Sequence, residues 1–179
     1  MSKKTHSMVM IAMFGAIISI ISAIPTGINI LGVPATLQTF AIALTAYTLG
    51  YKKGSMATLI YILLGVIGLP VFGGFKGGLG VLMSVTGGFI VGFVPLSILL
   101  GFTSDSKNKK KIAIVSFIGL ALCYIIGVTW FALISKTSII TGILIMVLPY
   151  LSKDIISMFA AYVVAKRLKK SINLKWSKI

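Results

Sequence analysis

The stretch GLPVFGGFKGGLGVLMSVTGGF, residues 68–89, decides how the chain is interpreted. Glycine is its commonest residue, Lys76 is its one charge, and long hydrophobic runs lie on both sides. In the hydrocarbon core of a bilayer, an unpaired backbone N–H or C=O costs several kcal/mol, so glycine-rich backbone there must be packed in protein or line a cavity. We therefore expect this stretch to approach a ligand closely. The alternative is a flexible surface loop between two membrane spans.

The composition indicates an integral membrane protein. Of the 179 residues, 58% are hydrophobic, and the mean hydropathy of +1.08 is far above that of soluble proteins. The formal net charge is +15. The cations nevertheless form short clusters between apolar runs, instead of one basic stripe interleaved with aromatic residues. We therefore expect a lipid membrane as the partner, and no nucleic acid.

The residue types needed for catalysis are scarce. His6 is the single histidine and Cys123 the single cysteine, which excludes Ser-His and Cys-His catalysis, a disulfide framework and a His/Cys metal cluster. The two acidic residues, Asp105 and Asp154, fall on opposite sides of the predicted topology, so they cannot work as a pair. No phosphate-binding nucleotide loop occurs. The sequence therefore predicts a protein that is not an enzyme and has no cofactor and no metal.

The apolar runs predict an all-α integral membrane protein with structured outer loops, folded as one domain over residues 1–179. Six transmembrane helices are expected at 8–24, 35–50, 55–68, 84–102, 112–134 and 150–168. We interpret the first as a retained helix and not as a signal peptide, because further spans follow.

Three breaks between these spans are predicted from turn-forming residues. The segment 25–34 holds two prolines and two glycines, and 50–55 (GYKKGS) is expected to be a short basic turn. Pro149 is expected to separate a short helix from the sixth span.

The basic residues predict the orientation. Six spans place both termini on one side, and the loops of that side hold all the cations except Lys76, Lys136 and Lys153. The positive-inside rule then places both termini in the cytoplasm, in the cell membrane. The cytoplasmic clusters act first as topology determinants, and contact with anionic lipid is a secondary effect.

Polar and glycine residues are expected to meet on the outer face, in a substrate-binding site. The candidates are Thr36, Gln38, Gly73, Gly74, Phe75, Lys76, Thr86, Tyr150, Lys153 and Asp154.

Asp154 is the principal candidate, because a charge inside a membrane helix needs a partner, a ligand or water. It shares a helix face with Tyr150, Ser157 and Met158, whereas Lys153 is expected to extend outward to the interface. The alternative for Asp154 is an internal hydrogen bond.

Three other features have structural alternatives. Lys76 is either an anion contact or an exposed loop lysine, and Thr86 is either a ligand contact or a helix cap. Ala12 and Ala16 place small side chains four residues apart on the first helix. Such spacing allows close approach of another helix, either within the bundle or from a separate subunit.

Three segments resemble the BioY family, the biotin-binding S-components of energy-coupling factor (ECF) transporters. They are VPATLQTF at 33–40, GLPVFGGFKGG at 68–78 and TGGF at 86–89. Chain length, the number of spans and their order also match, so the resemblance covers nearly the whole chain. It implies an S-component-like bundle that captures biotin on the outer face. Uptake would be driven by partners, namely a transmembrane coupling subunit and two ATPase subunits.

The resemblance also implies roles for individual residues. Asp154 falls on an aspartate that contacts the ureido ring, and Lys76 falls on a polar loop residue that is typically asparagine. Ala12 and Ala16 are similar to the small-residue motif that docks on the coupling subunit, which favours subunit contact over internal packing.

The sequence departs from the family pattern at three places. Ser84-Val85 replaces a Gly-Pro pair, Ile90 replaces an arginine suited to a carboxylate, and Ser157 replaces a lysine. Lys76 or Lys153 would then act as a point charge for the carboxylate, without the bidentate geometry of arginine. An importer subunit for dethiobiotin or lipoate therefore stays open as an alternative.

Two other classes of protein fit the sequence less well than a vitamin-capture subunit. An autonomous secondary transporter or channel would have few titratable groups for ion coupling, with only Asp154 and Lys153 as candidates. A membrane enzyme is disfavoured because the catalytic residue types are scarce.

Overall fold

The computed structural model describes residues 3–30 and 33–172, and most of them are helical. The elements in chain order are α1 (Lys3–Ala23), β1 (Pro25–Ile30), β2 (Val33–Thr36), α2 (Gln38–Val66), α3 (Leu79–Leu82), α4 (Gly87–Phe102), α5 (Lys109–Ser135), α6 (Ile139–Gly142) and α7 (Leu148–Ile172). Among the cations assigned to the cytoplasmic side, Lys175 and Lys178 lie outside the described residues.

The predicted all-α membrane fold is confirmed. Three helical stretches are long and apolar enough to cross a bilayer, namely Lys4–Ala23, Lys109–Ser135 and Ile139–Lys170, and Gly87–Phe102 is a shorter apolar helix. Large apolar side chains such as Phe117, Ile125 and Leu133 are exposed on the outside of the bundle. Hydrocarbon would cover such a surface in a membrane.

A β-hairpin replaces the irregular break expected at 25–34. β1 and β2 pair antiparallel, with Pro25 opposite Thr36 and Ile30 opposite Val33, and residues 31–32 are outside the described part. Proline is tolerated here because both strands of a two-stranded sheet are edge strands, on which a missing N–H does not interrupt a ladder. As a consequence, the second helix begins at Gln38 and not at the expected position 35.

Gly50 alone makes the sharp reversal that was expected to occupy 50–55. Its φ of 79° and ψ of 175° break α2 into two helical halves, 38–49 and 51–66, so the lysines of GYKKGS already belong to the second half. The halves are in close contact, since a Cβ added at Gly54 would lie 2.9 Å from the Ala46 Cα. Only glycine adopts such a backbone conformation without strain.

Pro149 lies inside a helix instead of ending one. A π-helical turn, Ile143–Val147, joins α6 to α7, and the apolar helical stretch runs without interruption from Ile139 to Lys170. Proline lacks the N–H of a regular helical bond and its ring crowds the carbonyl four residues earlier. A wider π-turn just before Pro149 relieves both problems, which is why the predicted break is wrong.

The broken helix α2 forms the centre of the bundle. It packs against α1, α4 and α7, and α4 packs against α5. Buried threonines in α2 bond their hydroxyls to the carbonyl four residues earlier, for example Thr45 to Ala41 and Thr48 to Leu44. These bonds satisfy polar groups in an apolar interior. The arrangement brings the end of α1, the hairpin and the glycine-rich stretch to one end of the bundle.

Candidate functional site

A cavity of about 250 Å³ opens at the end of the bundle away from the termini. This volume is close to the lower end of the range of pockets that bind small molecules. Its wall is formed by residues from β2, the start of α2, the glycine-rich stretch, α4, α5, the π-helical turn and α7. Of the ten candidates, those that line the cavity are Thr36, Gln38, Gly73, Lys76, Thr86, Tyr150, Lys153 and Asp154.

Asp154 is the buried charge of the cavity, with 5% of its surface exposed. Its Oδ2 accepts a hydrogen bond of 2.7 Å from the Tyr124 hydroxyl on α5. Its Oδ1 lies 2.5 Å from the Lys153 Nζ, an ion-pair contact. No donor among the described residues meets that buried Oδ1 with hydrogen-bond geometry. One carboxylate oxygen is thus fixed by the protein, and the other retains capacity for a ligand N–H.

Lys153 turns towards Asp154, so the expectation that it extends outward is wrong. Its ammonium also donates to the Thr36 backbone carbonyl at 2.9 Å. The long flexible stem brings the charge back along the helix, where the Asp154 carboxylate and a strand carbonyl both attract it. Lys153 therefore links α7 to the β2 strand at the wall of the cavity.

Gln38 is held at the cavity by the second half of α2. Its side-chain amide donates to the Tyr61 hydroxyl, and Tyr61 is fully buried. The Gln38 backbone N–H faces the Thr36 hydroxyl at 3.4 Å. The polar Gln38 side chain thus has a hydrogen-bond partner inside the protein, and the residue also lines the cavity.

Within the glycine-rich stretch, the loop 72–76 is held by backbone hydrogen bonds, both within itself and to α1. Phe72 and Lys76 exchange backbone hydrogen bonds of 2.9 and 3.2 Å, and the N–H groups of Gly74 and Phe75 donate to the Ala23 carbonyl at the end of α1. Phe75 has a φ of 58° and is 62% exposed. Gly73 and Lys76 line the cavity, whereas Gly74 and Phe75 do not. The loop therefore forms a structured wall, with its tip bonded to α1.

Lys76 is an exposed cation at the cavity. Its ammonium has no hydrogen-bond or ion-pair partner among the described residues. An unpaired cation on a cavity wall attracts the anionic group of a ligand.

Thr86 precedes α4, but its side chain does not cap that helix. Its hydroxyl lies 3.1 Å from the Ser84 hydroxyl, and the Ser84 carbonyl accepts a hydrogen bond from the Trp130 indole. The cap that was the alternative role for Thr86 is thus not formed, and the residue lies on the cavity wall.

Sequence reasoning missed much of the apolar wall and three polar residues, Thr39, Ser84 and Tyr124. Most of the apolar side chains lie on α4 and the π-helical turn, and these are Phe89, Ile90, Phe93 and Met146. Of the three polar residues, Tyr124 bonds directly to Asp154, and its hydroxyl inside the charge-free span 112–134 was a signal for it. Ile90, where the family pattern has arginine, is 4% exposed and presents an apolar side chain to the cavity.

Ala12 and Ala16 lie on the exposed face of α1. Gly15 occupies the inward face, where an added Cβ would lie 3.3 Å from Ile60. Internal close packing of α1 on α2 therefore uses Gly15, and the two alanines are available on the outside of the bundle.

Comparison with known proteins gives a consistent match. Residues 1–174 match the model of the BioY family. The chain is 37% identical over 142 residues to the biotin transporter BioY of Thermotoga maritima, covering 77% of this chain and 82% of that one. It is 33% identical over 166 residues to the probable biotin transporter BioY of Pyrococcus horikoshii, covering 93% and 98% of the two chains.

The fold is also similar to a solved structure. The crystal structure of the S-component for biotin from an ECF-type ABC transporter superimposes with a TM-score of 0.83. The two chains are 27% identical, and 95% of each is covered. The expected S-component-like bundle is confirmed by this match.

Proposed function

Because the chain belongs to the BioY family, we propose that it is the substrate-capture subunit of an ECF-type vitamin importer and binds biotin in this cavity. The observation that carries the proposal is the buried Asp154 carboxylate. Asp154 lines the cavity, one of its oxygens is bonded to Tyr124, and the other lacks an aligned hydrogen-bond donor among the described residues.

The ureido ring of biotin complements this carboxylate. The ring carries N–H donors, and a charge-assisted N–H···O bond to Asp154 Oδ1 supplies the missing donor. A ligand without such a donor would leave the buried oxygen with the Lys153 ion pair but without an aligned hydrogen bond, a loss of up to about 1–3 kcal/mol. The pairing therefore gives selectivity as well as affinity.

The remaining wall supports an apolar ring and a carboxylated tail. Phe89, Phe93 and Met146 offer aromatic and thioether surface for the sulfur-containing ring. Lys76 is the cation proposed for the carboxylate, because Ile90 brings no charge to the cavity and Lys153 is already paired with Asp154. A lysine acts here as a point charge, without the two parallel bonds of an arginine.

We also propose an orientation of the protein in the membrane and a set of partner subunits. Both termini lie in the cytoplasm, the cavity faces outward from the cell membrane, and a coupling subunit with two ATPases drives release to the inside. The positions of the basic loops support the orientation. The exposed Ala12 and Ala16 on α1 support docking on another membrane subunit.

Calorimetric titration with biotin tests the capture role. The detergent-purified protein is expected to bind biotin with a sub-micromolar Kd. Asp154→Ala is expected to weaken binding roughly 10- to 150-fold, since a hydrogen bond to a charged group contributes about 1.5–3 kcal/mol. The matched control is Asp105→Ala, which removes the other aspartate at the opposite end of the bundle and should leave the Kd unchanged.

Each other outcome has a defined meaning. Tight binding that survives Asp154→Ala would contradict the assignment of Asp154 while keeping biotin as ligand. Absence of binding by folded wild-type protein would contradict biotin itself.

Dethiobiotin and lipoate are the alternative ligands. Dethiobiotin keeps the ureido ring and lipoate lacks it, so recognition through Asp154 predicts that dethiobiotin competes with biotin and lipoate does not. Preference for lipoate would contradict the role given to the carboxylate.

A further inference from the structure

A second cavity, of about 440 Å³, lies at the end of the bundle that carries the termini. It is formed by α2, the segment between α4 and α5, the start of α5 and the end of α7. Tyr47 and Tyr162 lie in its wall, with their rings edge to face and 5.7 Å between centroids. The cavity is separate from the proposed biotin site, and the inference drawn from it does not depend on the proposed function.

Positive charge dominates the wall of this cavity. Four lysines line it, namely Lys107, Lys109, Lys166 and Lys169, against the single acidic residue Asp105. Asp105 is already paired with Lys169, at 3.1 Å. The other three lysines have no ion-pair partner in the part of the chain that the structure describes.

Lys169 gives the cavity an ordered cationic wall. Only 17% of its side chain is exposed, and its ammonium donates to the Ser104 carbonyl at 2.8 Å as well as to Asp105. These bonds fix a positive charge on α7 against the α4–α5 segment. Gathering further lysines around it is unfavourable through like-charge repulsion, and a bound anion with several acceptor oxygens would relieve that repulsion.

Aromatic residues place this cavity at the membrane–water interface. Tyr51 and Phe102, at the same end of the bundle, stack with 4.4 Å between ring centroids, and both are exposed. Exposed aromatic residues at helix ends mark the headgroup level of a bilayer. The headgroups of acidic lipids are concentrated at this depth, which favours them over soluble anions as ligands of a basic cavity.

We propose that this cavity binds the phosphate group of an anionic phospholipid headgroup. The lysine side chains contact the phosphate oxygens, and Tyr47 and Tyr162 contact the glycerol and first methylene groups. A soluble phosphate ion shares the same charged chemistry but lacks the apolar part that the tyrosines would cover.

Titration with short-chain lipids tests the proposal. The probes are dioctanoyl phosphatidylglycerol, dioctanoyl phosphatidylcholine and inorganic phosphate, each added to delipidated protein in neutral detergent. Wild-type protein is expected to bind phosphatidylglycerol at least tenfold more tightly than either of the others. Lys109→Gln with Lys166→Gln is expected to weaken that binding roughly 25-fold, about fivefold for each lysine near the surface.

Neighbouring residues supply a matched control. Lys110→Gln with Arg167→Gln removes the same charge from the adjacent positions, whose side chains do not line the cavity. This variant should change the affinity less than threefold. Thermal unfolding of both variants checks that each one is folded.

Three results would overturn the proposal. Equal loss in the two double variants would mean that general surface charge, and not the cavity, attracts the lipid. Equal binding of phosphatidylcholine would exclude recognition of an anionic headgroup. Binding of inorganic phosphate as tight as that of phosphatidylglycerol would identify a soluble phosphate as the ligand.

Discussion

The Tyr124 hydroxyl donates to the Asp154 Oδ2 at 2.7 Å, and this bond joins α5 to α7 beside the cavity. The other carboxylate oxygen, Oδ1, lies next to the Lys153 ammonium, and both residues line the cavity. Tyr124 thus determines which carboxylate oxygen is available to a ligand. A hydrogen bond that already fixes the carboxylate in the free protein reduces the conformational entropy that is lost when the ligand binds.

Tyr124→Phe should weaken biotin binding roughly tenfold and leave the fold intact. The change removes one hydrogen bond to a charged group, which contributes about 1.5–3 kcal/mol, while the Lys153 ion pair remains to hold the carboxylate in part. Calorimetric titration gives the Kd. The matched control is Tyr162→Phe, which removes a hydroxyl near the opposite end and should leave the Kd unchanged. An unchanged Kd in Tyr124→Phe would show that Asp154 does not need this orientation.

Lys76→Gln should weaken the binding of biotin about fivefold and leave the binding of biotin methyl ester unchanged. The lysine is exposed, so its attraction to a carboxylate contributes only about 1 kcal/mol, and the ester has no charge for it to contact. The difference between the two ligands isolates the charge interaction. Lys136→Gln is the control, because Lys136 lies at the C-terminal end of α5 and does not line the cavity. Equal losses for biotin and its ester would contradict contact between Lys76 and the carboxylate.

The polar part of the site was largely predictable from the sequence. Charged and amide side chains such as Asp154 and Gln38 are costly in a membrane unless they face a partner or a cavity, so their positions alone identify them. Tyr124 was missed because tyrosine in an apolar run is also compatible with ordinary packing. The direction of Lys153 was wrong because helix geometry specifies where a side chain starts and not where a long flexible stem ends.

The apolar part of the fold was less predictable in detail. Hydrophobic runs locate membrane helices, but they do not distinguish a helix end from a bend. Gly50 reverses the chain within one residue, and the π-helical turn before Pro149 allows a helix to continue through a proline. The hairpin at 25–36 depends on pairing between two short strands, which no local periodicity reveals at this length.

Replacing both Ala12 and Ala16 by leucine should prevent assembly with the coupling subunit and leave biotin affinity unchanged. The alanines are exposed on α1, and larger side chains would hold an approaching helix away. Co-purification of the coupling subunit from cells that express the whole importer measures assembly. Ala113→Leu is the control, since Ala113 is an exposed alanine on α5. Normal co-purification of the double variant would contradict docking through this face.

Gly50→Ala should lower the free energy of unfolding by about 1–3 kcal/mol. The cost arises from the backbone and not from crowding, because φ is 79° and ψ is 175°, a region that residues with a Cβ adopt only under strain. The nearest atom to an added Cβ is the Ser104 hydroxyl, at an ordinary contact distance of 3.4 Å. Thermal or denaturant unfolding in detergent measures the change. The matched control is Gly80→Ala in α3, where an added Cβ meets no atom within 4 Å. Equal stability of the two variants would mean that α2 can reverse at Gly50 without a glycine, and that another feature of the bundle imposes the turn.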